Sequence, residues 1–113
     1  MVTQLRWLTL LGVVVLAAAS GCAAMHHGPP RDLIERNDHA GLTAWYERHA
    51  AHLRAHAEEM RTMATDYQRR ATKPGGPPSE LVRHCQSLAA RYTKAAEEAD
   101  QLAQLHKEQM GKL

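Results

Sequence analysis

All eight histidines of this 113-residue chain lie after position 25, and three of them have a spacing that can do chemistry. His49, His52 and His56 fall at i, i+3 and i+7. On an α-helix they share one face, and the i, i+4 pair His52/His56 can place two imidazoles on one metal ion. If the chain folds back on itself, Glu98 comes opposite His52 and adds a carboxylate. That set suits copper or zinc. Met60, Met63, His84 and Cys85 make a softer group, suited to Cu(I). His26-His27 can act as a flexible chelate. Each of these also has a plain reading. Met and Cys at helical spacing fill cores, and an imidazole in a bundle needs only a carboxylate or a water beside it.

The elements that must carry these residues are helices. Tyr46, His49, Leu53, His56, Met60, Met63 and Tyr67 alternate steps of three and four, the seam of a coiled coil. Ala50, Ala57, Ala64 and Ala71 repeat at seven beside it. A second seam runs through Leu81, Cys85, Leu88, Tyr92, Ala95, Ala99, Leu102 and His106, flanked by Ala89, Ala96 and Ala103. Between them Lys73-Pro74-Gly75-Gly76-Pro77-Pro78 stops a helix, because proline lacks the amide hydrogen and paired glycines free the backbone. The pattern predicts an all-α fold: an antiparallel, coiled-coil-like hairpin over 39–113, with helices at about 39–72 and 79–111. Asp38 or Asn37 is the expected cap of the first helix and Ser79 of the second.

Folding the chain at the break gives a check on this. Trp45 with Leu105, His52 with Glu98, Glu59 with Arg91 and Asp66 with His84 face each other as apolar or charge-complementary pairs. On the other flank Ala50 meets Ala103, Ala57 meets Ala96 and Ala64 meets Ala89. Two helices bury little for their length, so the lone hairpin is expected to be marginal and to dimerise into a four-helix bundle.

Residues 1–21 read as an address. A short start with Arg6 precedes the apolar run Leu8–Ala19, which is shorter than the ~20 residues of a membrane span. Small residues and a cysteine follow. The stretch resembles a bacterial lipoprotein signal peptide, and Ala19-Ser20-Gly21-Cys22 resembles its lipobox. The resemblance implies cleavage before Cys22 and fatty acylation, including palmitate, at Cys22. Two or more chains then hold the protein stably at a membrane. Residues 22–38 become a lipidated tether, with Pro29-Pro30 as a stiff element and one possible helical turn at Leu33-Ile34. Ala23 stands where Asp would resemble an inner-membrane retention signal, which implies the periplasmic face of an outer membrane. Cys85 is then the second cysteine of a chain in an oxidising compartment, and a buried thiol is its plain reading.

Beyond the leader, the chain is similar to small uncharacterised proteobacterial α-hairpin lipoproteins, in which a His/Met/Tyr-bearing helix precedes a segment like His84-Cys85-Gln86-Ser87-Leu88. It is more distantly comparable to the murein lipoprotein. Lys112 stands before Leu113 and the helix is broken, two departures that count against peptidoglycan crosslinking.

Composition narrows the function further. Fourteen basic residues against twelve acidic give a net charge of +2, which offers nucleic acid no special footing. Phe is absent, and Gly is sparse between Asp38 and Leu113 except at the break, so no deep apolar pocket is expected. No His-Glu-x-x-His, phosphate loop, Gly-x-Ser-x-Gly or Cys-x-x-Cys occurs. The expectation is a non-enzymatic envelope lipoprotein without a cofactor, which binds itself or another envelope protein. The alternative is a periplasmic copper- or zinc-binding lipoprotein.

Overall fold

The computed structural model describes residues 28–113. The expected signal peptide, Cys22 and His26-His27 lie outside the described residues. Three helices follow in order: α1 (Arg31–Glu35), α2 (His39–Ala71) and α3 (Ser79–Met110). No strand occurs among the described residues. At 1.5 Å per residue, α2 and α3 each run roughly 50 Å and lie antiparallel along their length. This is the helical hairpin that the spacing predicts. No described helix is long and apolar enough to cross a membrane.

Local chemistry sets each boundary. α1 ends because Asn37 adopts a left-handed backbone, φ 50°, which Asn tolerates better than most residues. The Asn37 amide then donates to the Ile34 carbonyl (3.1 Å) and the Asp38 amide to the Leu33 carbonyl (2.9 Å), closing a Schellman motif. Asp38 goes on to cap α2, its carboxylate accepting from the Gly41 amide at 2.8 Å. Gly41 also leaves room for α1: a Cβ there would lie 2.9 Å from Leu33 Cδ2. The single turn is thus clipped to the start of the hairpin.

The reversal needs both its glycines. Gly75 has φ 72°, and a Cβ on Gly76 would fall 2.0 Å from the Arg70 carbonyl oxygen. The expected cap at Ser79 is corrected. Ser79 is already helical, the cap position is Pro78 (φ −59°, ψ 142°), and no side chain caps it. The pyrrolidine ring pre-sets the extended approach, and the Pro78 carbonyl takes the Leu81 amide at 3.1 Å.

The largest correction concerns what lies between the helices. Most of the deeply buried residues are the alanines expected to flank the seam, Ala50, Ala57, Ala64, Ala89, Ala96 and Ala103; Leu42, Thr43, Cys85 and Ala99 are buried with them. Tyr46, Leu53, Met60 and Tyr67 share the interior from α2; Cys85, Tyr92, Ala99 and His106 do so from α3. His56, Met63, Leu81, Leu88 and Leu102 are instead exposed, and His49 is half-buried. The interhelical face is rotated toward the small residues, because alanine lets two backbones approach and gather dispersion contacts that bulky side chains would hold apart. The register shifts with it: Ala50 packs with Ala96 and Ala99, where Ala103 was expected. Ala103 instead offers its carbonyl to Thr43 Oγ1 at 3.4 Å.

Candidate functional site

Rotating the interface gives the hairpin two unlike edges. On the first, polar side chains reach across at intervals of seven. Lys107 Nζ donates to Glu47 (3.1 Å), Arg54 pairs with Asp100, and Arg61 Nη2 donates to Thr93 Oγ1 (2.8 Å). The hydrogen bond to Asp100 holds the Arg54 guanidinium above its ordinary pKa. Desolvation opposes it, and the charges of Asp100 and Glu97 add to it.

No such lacing is found on the second edge. α3 presents Leu81, Leu88, Leu102 and Leu105, which keep 37%, 41%, 39% and 54% of their surface. α2 presents Met63, 40% exposed, and the histidines. A groove of about 500 Å³ opens here between Trp45, Arg48, His49, His52, His56 and Tyr92, floored by Leu53. The His49 ring stacks on Trp45 (4.7 Å, 22°), and Trp45 meets Tyr46 edge-on (5.0 Å, 87°). The His56 ring leans on Tyr92 from the opposite helix (5.5 Å, 35°). Helical spacing makes this grouping unavoidable, since steps of three and four keep His49, His52 and His56 on one side of α2.

The histidines therefore share a groove, but Glu98 does not close around them. His56 Nδ1 contacts Glu59 of its own helix at 3.1 Å, while His52 and Glu98 are exposed. Cross-helix charge pairs expected on this edge are replaced by short-range ones: Asp66 pairs with Arg69, where His84 was expected. In the softer set, Cys85 is buried with a free thiol, Met60 is half-buried, and Met63 and His84 are exposed. Among the described residues, no three His, Cys, Asp or Glu side chains gather closely enough to hold a metal ion.

One pair escapes sequence reasoning. At the open end of the hairpin His39, the first residue of α2, meets His106, in the last turns of α3. Their Nδ1 atoms are 3.0 Å apart and both rings are half-buried. The face of Tyr46 lies along His106 (5.7 Å, 10°). The two histidines are 67 positions apart in sequence. Only the antiparallel register, carried from the Gly75-Gly76 reversal to the far end, could have brought them together on paper.

No protein-family profile, curated protein or solved structure matches the chain.

Proposed function

We propose that this chain is a non-enzymatic envelope lipoprotein, moored to a membrane through acylated Cys22, that works by docking its apolar edge against a second helical hairpin. A second copy of the chain is the simplest partner, and two such edges face to face make a four-helix bundle. The observation that carries the docking reading is the row of half-exposed leucines on one edge, Leu81, Leu88 and Leu102 at multiples of seven, while the other edge is occupied by charges. Contiguous exposed apolar surface of this kind marks an interaction face. An interior built largely of methyl groups also leaves the single hairpin little burial to rest on, about 25 cal/mol per Å² of apolar surface removed from water. Covering the leucines supplies what the alanines do not.

The anchor rests on the leader, where the apolar run ends in Ala19-Ser20-Gly21-Cys22. The outer membrane, facing the periplasm, is the site that Ala23 favours. No feature recommends nucleic acid as a partner.

Sedimentation of the purified full-length protein in detergent tests the docking reading. A dimer at micromolar concentration is expected, converted to monomer by Leu88→Lys with Leu102→Lys at unchanged helicity. A native protein that stays monomeric overturns it. Radiolabelled palmitate tests the anchor separately: label must enter the native chain and be lost in Cys22→Ala, and an unlabelled native chain removes the mooring.

A further inference from the structure

We propose that His39 and His106 form a binding site for a divalent transition-metal ion, with Zn²⁺ as the simplest example, which clasps the open end of the hairpin. This is independent of both the anchor and the docking edge.

Geometry favours this pair over the other histidines. Two nitrogens bound to one zinc at about 2.0–2.1 Å and a tetrahedral angle stand about 3.4 Å apart. The Nδ1 atoms of His39 and His106 are already 3.0 Å apart, facing each other from different helices. Admitting the ion requires each ring to tilt by roughly 35°, so that both lone pairs turn toward one point. Both rings are partly withdrawn from solvent, and the Tyr46 face fixes the plane of His106. His39 directly follows Asp38, the residue that caps α2, so its backbone is held as well. The groove histidines lack this arrangement: all three come from α2, and His56 Nδ1 is engaged by Glu59.

The exchange of groups balances. At 3.0 Å the two neutral rings share a hydrogen bond in which one Nδ1–H donates to the lone pair of the other Nδ1. Zinc takes a lone pair from each Nδ1. The bridging proton leaves to solvent, and Nε2 of that ring takes one up. The neutral pair therefore changes tautomer with no net loss of protons, and water fills the two remaining positions. Because the ligands come from opposite ends of the sequence, only the folded hairpin offers them together, and binding must raise the unfolding midpoint.

Calorimetry and thermal melts of the full-length protein in detergent, with Zn²⁺ as the probe, test this. One ion per chain is expected, with a rise in melting midpoint of about 10 °C at a hundredfold excess over Kd. His39→Ala or His106→Ala should each weaken affinity about tenfold or more, while His52→Ala with His56→Ala leaves it within about twofold. Native affinity retained in either of the first two variants, or a loss confined to the double variant, overturns the site. A helix-end substitution can fray the hairpin, so the native protein also carries a test of its own. In imidazole ¹⁵N spectra Zn²⁺ must move the Nδ1 resonances of His39 and His106, and resonances that stay in place overturn the proposal without any variant.

Discussion

The two long edges of the hairpin are cut from the same helices and the same heptads, yet they behave oppositely. One is crossed by Glu47–Lys107, Arg54–Asp100 and Arg61–Thr93, so its polar groups already have partners within the chain. Along the other, leucine, methionine and histidine side chains have only part of their surface covered. Exposed ion pairs contribute little to stability, so the laced edge matters mainly for what it discourages. A partner laid there must strip water from Arg54 and Asp100, a cost that contacts of the new interface rarely offset. A partner laid on the leucines of α3 covers apolar side chains that are already partly exposed. The difference between the edges, more than either edge alone, is what the docking proposal rests on.

The comparison can be broken most forcefully at the row that separates the edges. Ala96 is fully buried against Ala50 and Ala99, so Ala96→Leu must push the helices apart. A loss of about 3 kcal/mol is expected, read as a fall of more than about 10 °C in melting midpoint. If the variant melts with the native protein, the alanine interior is not where it has been placed. Next come the leucines. Leu88→Lys and Leu102→Lys should alter the stability of the isolated hairpin by only about 0.5 kcal/mol each, since both are partly exposed, while abolishing self-association. A stability loss without any change in mass would assign these side chains to the interior instead. A finer probe is Thr43→Val, which keeps shape but removes the hydroxyl that donates to the Ala103 carbonyl. About 1 kcal/mol should be lost. The smallest effect belongs to the laced edge: Arg54→Ala with Asp100→Ala, measured as a double-mutant cycle, should show a coupling that fades as salt is raised. A large, salt-insensitive coupling there would mean the edge is a structural spine and not a screen.

Much of this fold was legible in the residues. The Pro-Gly break, the heptads and Asp38 as a cap fixed two antiparallel helices within a residue of their ends. What the pattern could not fix was rotation. Alanine and the larger apolar residues both repeat at seven, so periodicity alone leaves two adjacent stripes competing for the interior. Hydrophobicity favours the stripe with Leu, Met and Tyr, and that preference drew His49, His56 and Met63 inward. Close approach favours the methyl stripe, and that term decided the outcome. The candidate site suffered the same error in reverse. His49, His52 and His56 were correctly placed on one face, yet Glu98 was brought to them by a register that belongs to a different packing angle. His39 with His106 went unnoticed because neither residue is informative beside its own neighbours.

A last consequence follows from the tight reversal at Gly76, where a methyl group would strike the Arg70 carbonyl. With the chain pinned there, any residue inserted or deleted within α2 turns everything on its far side by about 100°. The inward methyls would swing out, and a charged neighbour would take their place. Length changes inside one helix are therefore costly. Tolerated ones must come from the end where His39 meets His106, which makes that end the one place where the ribbon can grow or shrink while its two sides stay apart.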